Sequence, residues 1–361
     1  MSESFKVNSK LGSYEISFVD LDNIKDFLKN KEVFVIIDEK VFDLYPFLNN
    51  SKIIKVPALE SSKTLLFAES VIKSLRDFGA NRKSKIIAIG GGIIQDLVTF
   101  VASIYMRGIS WEYYPTTLLS MVDSCIGGKS SINVANFKNI AGNFYPPQKI
   151  YINPSFCQSL ENIDIASGLC EAVKICFADE GSSFDKIINV IDEKDIYSIQ
   201  KLSEITYLSL ETKKRFIEID EFDNGIRLNL NFGHTFGHAI ESASNYAIPH
   251  GIAVGIGMQL AIEFSSIENK SIKDNSRCLV LYQLISSILN KFLSTLDYLN
   301  KIDPDVLFDK FISDKKHTSE DYVLIIPNQD GFLHREFFAK DDRFRSKFNH
   351  AFNQVLKQYE I

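Results

Sequence analysis

The stretch Lys85-Ile86-Ile87-Ala88-Ile89-Gly90-Gly91-Gly92-Ile93-Ile94-Gln95-Asp96 runs from an apolar, β-branched segment through three glycines into a second apolar segment. An apolar run of this length, closed by glycine, reads as a buried strand, and the segment beyond the glycines reads as a helix. Strand, glycine turn and helix in that order make one unit of a parallel α/β sheet with crossovers. Glycine lets a backbone approach a phosphate closely, and a helix N-terminus offers N–H donors and a positive dipole end. The spacing is not GxGxxG, so the turn either seats a nucleotide phosphate or is a tight turn with no ligand.

Working outward, Val33-Phe34-Val35-Ile36-Ile37 reads as another buried strand, ending at Asp38. Between the two strands Leu65, Ala68, Val71, Ile72 and Leu75 recur at helical spacing. Beyond Pro154 long helical periodicities take over, over 165–177, 199–216, 255–268 and 278–299. No repeat or low-complexity linker separates the halves. A chain of 361 residues exceeds what one core usually supports. The expectation is an α/β domain with a parallel sheet over 1–155, followed by a mostly α-helical domain over 156–361.

Composition narrows the class. The chain is 45% hydrophobic and 24% charged, the balance of a compact globular protein. A net charge of −6 argues against a dedicated nucleic-acid or anionic-membrane binder, although an acidic surface can still enclose a basic pocket. No apolar run is expected to reach the roughly 18–20 residues that span a bilayer. The N-terminus, Met1-Ser2-Glu3-Ser4-Phe5-Lys6, lacks the basic and apolar regions of a signal peptide. Cys125, Cys157, Cys170, Cys176 and Cys278 are odd in number and form no CxxC pair, which points to reduced thiols in a cytoplasm.

Several residues carry possible chemistry. Asp38, at a strand end, could accept from a ribose hydroxyl or be an ordinary loop carboxylate. Glu60 and Lys63 precede a helix and carry no signal alone. From Pro115-Thr116-Thr117 to Pro147, with Arg107 just upstream, the chain holds Asp123, Gly127-Gly128-Lys129, Asn133 and Lys138-Asn139. That density of breakers reads as a long loop with short elements, and its cations suit a phosphate or carboxylate. Glu171 and Lys174 share a helix face, as a ligand-bearing pair or as a plain i,i+3 ion pair. Lys213 and Arg227 flank Asp220-Glu221 and carry no signal alone. Of six histidines, His234, His238 and His250 fall close together. Imidazoles i and i+4 on one helix can share a metal, and catalytic zinc usually takes three protein ligands. Which two histidines bind, and whether the third ligand is a carboxylate, spacing leaves open; satisfied core histidines are the alternative.

Taken in order, GGGIIQDLVTFVASIYMRG (90–108), PTTLLSMVDSCIGGKSSIN (115–133), KNIAGNFYPP (138–147), SGLCEAVK (167–174), NFGHTFGHAIE (231–241) and PHG (249–251) resemble the dehydroquinate synthase family of sugar phosphate cyclases. The resemblance implies an NAD domain joined to a helical domain, with the active site in the cleft. It implies zinc, or cobalt, held by Glu171, His234 and His250. It places Asp123, Lys129, Lys138, Asn139, Lys174, Lys213, Arg227, Asn231 and His238 around a small phosphorylated sugar. One of Lys315 and Lys316 matches a further phosphate contact, and Lys316 is the residue chosen. Asp38, Glu60, Lys63, Gly91, Gly92, Asp96, Thr116 and Thr117 match the cofactor side. The family commonly forms dimers, in which Arg107 would reach a neighbouring subunit's site.

Three departures stand out. Gln95 replaces a usual glycine, Ser130-Ser131 replaces Thr-Gly, and Asn136-Phe137 replaces a stretch that carries a glycine before Lys-Asn. Lys129 and Arg227 favour the heptulosonate 7-phosphate reaction that yields 3-dehydroquinate. The altered loop favours cyclases of sedoheptulose 7-phosphate or glucose 6-phosphate. A metal-dependent polyol or glycerol phosphate dehydrogenase is the rival from another class, and it has no need of the GGK…KN loop with Asp123.

Overall fold

The computed structural model describes residues 4–30, 32–49, 52–135, 137–192 and 195–359. Asn136 and residues 1–3 of the N-terminal segment therefore lie outside the described residues. The chain forms two compact units, Met1–Leu160 with Asp195–Phe222, and Glu161–Lys194 with Asp223–Ile361. A single break at 155 does not describe this partition. The helix Ile199–Ile219 belongs to the first unit because Ser209 Oγ donates to Val122 O at 2.9 Å and Lys213 reaches Asp123.

The strands of the first unit, in chain order, are β1 (Ser4–Val7), β2 (Tyr14–Phe18), β3 (Val33–Asp38), β4 (Ile53–Val56), β5 (Lys85–Gly90), β6 (Ser110–Pro115), β7 (Ile132–Val134), β8 (Phe137–Ala141) and β9 (Lys149–Ile152). Seven of them form one sheet in the order β1-β2-β9-β6-β5-β3-β4, parallel except for the β1–β2 pair. All six residues of β3 are buried, as a strand covered on both faces requires. From β3 the chain steps outward to β4, then returns to β5 on the other side of β3 and continues to β6. The order therefore reverses between β3 and β5, and a parallel sheet binds ligands beyond the strand C-termini at such a point. Asp38 ends β3 and the glycine turn ends β5.

The helix Gly92–Ile104 leaves that turn with Gly91 as its N-cap. Glycine at 90 is a packing requirement, since a Cβ there would lie 2.3 Å from Ile94 Cγ1. The expected long loop holds a π-helix, Ser120–Ser124, and the antiparallel pair β7–β8.

The second unit is mostly helical. Its central helix, His250–Glu268, is buried continuously from Gly251 to Ser266, as a core helix covered on every side. Backbone approaches draw its neighbours in. A Cβ on Gly257 would sit 2.1 Å from Gly233 O, and one on Gly251 would sit 2.0 Å from Ser167 O. These contacts bring helices His234–Ala243 and Asn162–Ala178 against it. The hairpin Asp321–Pro327 and Leu333–Ala339 (β10 and β11) packs on the same helix.

One expectation fails here. Ser276–Asn300 is long and apolar enough to cross a membrane by length and mean hydropathy (1.3). A 3₁₀ turn, Asn290–Phe292, interrupts it, and Cys278, Leu281, Leu284, Ile285, Ile288 and Leu289 are buried within the unit. All five cysteines are buried thiols without a disulfide.

Candidate active site

In the second unit, Glu171 is fully buried on helix 162–178, and one of its oxygens, Oε2, takes the ammonium of Lys174 one turn on. Its other oxygen, Oε1, lies 3.8 Å from His234 Nε2 and 3.5 Å from His250 Nε2. Two ligand atoms on one tetrahedral zinc are separated by about 3.4 Å, so these three atoms are spaced to share an ion. Each of the two imidazoles has its other nitrogen engaged. His234 Nδ1 lies 3.3 Å from Phe232 O, and His250 Nδ1 lies 2.9 Å from Glu241 Oε2. An acceptor on Nδ1 fixes the tautomer that presents a bare Nε2 to a metal.

His238 joins the cluster, its ring centroid 5.3 Å from that of His234 and 5.7 Å from that of His250. The ligand nitrogens of the three histidines also fall within 4.8 Å of one another, so geometry permits an all-imidazole set. Glu171 with His234 and His250 makes a second possible set, in which His238 is left with its Nδ1 facing Asp314 Oδ2 at 3.5 Å. Burial holds His234 well below the ordinary imidazole range, with the Lys174 charge adding to the effect, so the ring is neutral. Burial also lowers His238. In His250 burial works in the same direction, but the Glu241 hydrogen bond and charge outweigh it and raise the ring above its usual value.

Of the two adjacent lysines, Lys315 is exposed, whereas Lys316 turns inward and bonds Asp314 Oδ2 at 3.3 Å. Burial pulls the Lys316 ammonium down against the pull of Asp314, and its charge is felt at both His234 and His238. Arg227 is buried on the 3₁₀ turn Ile226–Asn231 that leads into the histidine helix, and Asn231 Nδ2 caps Leu228 O at 3.1 Å on the same turn.

In the first unit, the turn at Gly90–Gly92 is held from behind. Tyr113 Oη donates to Gly90 O and Gly91 O at 3.0 and 3.2 Å, and Thr116 N donates to Gly90 O at 3.0 Å. Thr117 packs against Gly91, where a Cβ would come within 3.0 Å of Thr117 Cγ2. Gly92 opens the helix. Asp38 Oδ1 accepts from Lys40 N at 3.0 Å, and burial raises its carboxyl above the ordinary range.

A polar network surrounds Lys63. Its Nζ bonds Asp96 Oδ2 at 2.8 Å and Asn139 Oδ1 at 3.0 Å; Asn133 Nδ2 bonds Glu60 Oε1 at 2.8 Å, and Asn133 Oδ1 accepts from Asn139 N at 2.8 Å. Burial pushes Asp96 up to about 6 despite the opposing Lys63 charge. Lys213 Nζ clamps Asp123, bonding both its carbonyl and Oδ1 at 2.5 Å. Lys129 and Lys138 are exposed on the same loop.

Arg107 is not drawn into these clusters within its own chain. It lies exposed past the far end of helix 92–104, and thirteen residues of helix put it about 20 Å from the glycine turn. It sits in a run of positive φ, with Met106 at 49°, Arg107 at 72° and Gly108 at 114°.

Glu241 and Asp314 contact the histidine cluster, and motif spacing did not reveal them. Glu241 lies seven residues after His234, two helical turns along one face, and Asp314 lies two before Lys316; either pattern alone is too common to single out a residue.

The chain thus joins a parallel sheet with a glycine turn at its reversal point to a helical unit that carries a carboxylate–imidazole cluster. Two solved cyclases share the architecture. A 2-deoxy-scyllo-inosose synthase, complexed with carbaglucose-6-phosphate, NAD+ and Co2+, has a TM-score of 0.80 at 21% identity, over 98% of this chain and 99% of its own. A 2-epi-5-epi-valiolone synthase from Streptomyces hygroscopicus, with NAD+ and Zn2+ bound, has a TM-score of 0.77 at 20% identity, over 98% of this chain and 100% of its own. In sequence, residues 53–167 match the 3-dehydroquinate synthase N-terminal family and residues 168–317 the C-terminal family. The 3-dehydroquinate synthase of Streptococcus pyogenes serotype M3 is 32% identical over 97% of this chain and 99% of its own length. The chain belongs to the 3-dehydroquinate synthase family.

Proposed function

We propose that the chain is a carbon–oxygen lyase that converts a heptulosonate 7-phosphate into 3-dehydroquinate and phosphate, with NAD and a divalent metal as cofactors. The observation that carries this reading is the convergence of Glu171 Oε1 with Nε2 of His234 and His250, in a chain aligned along its length with 3-dehydroquinate synthases. When bound, the dinucleotide accepts and returns a hydride, and the metal, as a Lewis acid, eases loss of the proton from the hydroxyl being oxidised.

The chain's own residues bind and orient. Glu171, His234 and His250 hold zinc or cobalt, a nitrogen and oxygen donor set suited to either. Lys174 offsets the buried charge of Glu171, and Glu241 and Phe232 O aim the two imidazoles. His238, held by Asp314 beside the metal ligands, contacts the substrate. Lys316, Lys129, Lys138 and Asn139 bind the phosphate that leaves. Arg227 and Asn231 bind the carboxylate and neighbouring hydroxyls, while Asp123, fixed by Lys213, receives a further hydroxyl. On the cofactor side, Gly91 and Gly92 open the helix terminus to the pyrophosphate, Thr116 and Thr117 line the turn, and Asp38, Glu60, Lys63 and Asp96 bind the ribose and nicotinamide ends.

We assign a homodimer in which Arg107 serves the second copy, and a cytoplasmic location, which buried thiols fit. The test is phosphate release with catalytic NAD on heptulosonate 7-phosphate, sedoheptulose 7-phosphate and glucose 6-phosphate. The first is expected to turn over with by far the highest kcat/KM. Turnover of a neutral sugar phosphate instead would reassign the substrate. Replacing Arg227 with Ala should cost the carboxylate-bearing substrate on the order of 100-fold in kcat/KM, the effect of leaving a buried charge unpaired; an equal, small loss on neutral sugars and carboxylate substrate alike would remove Arg227 from that role.

A further inference from the structure

Gln95 occupies a position where the family motif carries glycine, and the site chemistry above makes no use of it. Its amide is buried and bonds twice to one residue: Nε2 donates to Ser124 O at 2.6 Å, and Ser124 Oγ donates to Oε1 at 2.6 Å. Ser124 ends the π-helix 120–124, next to Asp123. The last carbonyls of a helix have no partner within it. Here two consecutive ones, of Asp123 and Ser124, are taken by side chains from different helices, Lys213 on 199–219 and Gln95 on 92–104. Single π turns recur at functional sites, where the widened turn needs outside support. Ser124 Oγ also overlies the glycine turn, 3.9 Å from where a Cβ on Gly92 would stand.

We propose that Gln95 and Ser124 are positioning residues, a clasp that fixes Asp123 to the helix whose N-terminus seats the dinucleotide. The inference rests on the cyclase reading, which makes Asp123 a substrate contact. Gln95 itself touches neither substrate nor cofactor. Its amide is needed because one group must both donate to a carbonyl and accept from a hydroxyl; glutamate lacks the donor and methionine lacks both. With the clasp closed, a hydroxyl bound by Asp123 holds one fixed position relative to the dinucleotide seat.

The experiment compares wild type, Gln95→Met, Gln95→Glu, Ser124→Ala and the double variant Gln95→Met/Ser124→Ala. It reads steady-state kinetics on the sugar phosphate, NAD+ affinity by calorimetry, and melting temperature. Gln95→Met should lower kcat/KM by on the order of 10- to 100-fold, the loss expected of a misplaced contact, mostly through KM, with NAD+ affinity within about threefold of wild type. Gln95→Glu should do no better. Ser124→Ala, which keeps the bond to its carbonyl, should lose less, and the double variant should match Gln95→Met alone because the pair acts as a unit. A Gln95→Met enzyme with kcat/KM within twofold of wild type would overturn the clasp. NAD+ affinity falling in step with kcat/KM would overturn it equally, since the residue would then belong to the dinucleotide seat or to the fold at large. If Gln95→Met does not fold, the isosteric Gln95→Glu decides by the same two readings. A wild type inactive on every sugar phosphate would sink the cyclase reading and this inference with it; an active wild type beside an unimpaired Gln95→Met sinks the inference alone.

Discussion

His250 and Glu241 show how much of the site rests on single contacts. The 2.9 Å contact between His250 Nδ1 and Glu241 fixes which nitrogen faces Glu171. Losing such a partner typically costs a metal site 10- to 100-fold in affinity. Glu241→Ala should therefore weaken zinc binding by on the order of 10- to 100-fold in chelator competition, and Glu241→Gln, which keeps an acceptor, by less; an unchanged dissociation constant would remove Glu241 from this role. Asp96 gives a test through pH. Its carboxyl titrates near 6 in the folded protein against an ordinary 3.8. The folded state thus holds this proton more tightly than the unfolded chain, so its contribution to stability is complete below the ordinary value and is lost as pH rises through about 6. Between pH 5 and pH 7 wild type should lose about 1 kcal/mol relative to Asp96→Asn in urea unfolding. A difference between the two proteins that does not vary with pH would contradict the burial of Asp96.

At the scale of elements, helix 250–268 acts through what it lacks. Glycine at 257 lets the backbone of the His234 turn come close enough that a Cβ would meet Gly233 O at 2.1 Å. Gly257→Ala should cost about 1–3 kcal/mol of stability or more, as forced overpacking does, and should lower zinc affinity with it because His234 is carried on the displaced turn. Melting temperature and metal retention measured together check this; full stability would show that the turn yields freely. Much of this layer was legible in the chain. The apolar runs 33–37 and 85–89 gave two of the parallel strands, and helical spacing gave the long helices of the second half. The approach of Gly257 to Gly233 was not legible, because the two lie on separate elements and no local pattern ties them. The π-helix was equally hidden: its carbonyls are satisfied by Lys213 and Gln95, and each lies far along the chain.

For the whole molecule, the order of motifs carried more than any one of them. Glu171, His234 and His250 come from three helices, and only packing sets Oε1 within 3.5 and 3.8 Å of the two nitrogens. Spacing within the histidine segment could not choose among three imidazoles, nor bring in a glutamate some sixty residues away. The return of helix 199–219 to the first unit explains why Lys213 was silent locally, since its partner Asp123 lies in the loop after β6. The central claim is a cyclase that oxidises and then reduces its substrate through one dinucleotide. It is tested most directly by following phosphate and NADH in the same reaction, with heptulosonate 7-phosphate in large excess over NAD+. The account predicts many phosphates released per NAD+ with no net NADH; NADH rising in step with substrate consumed would contradict it and mark a dehydrogenase.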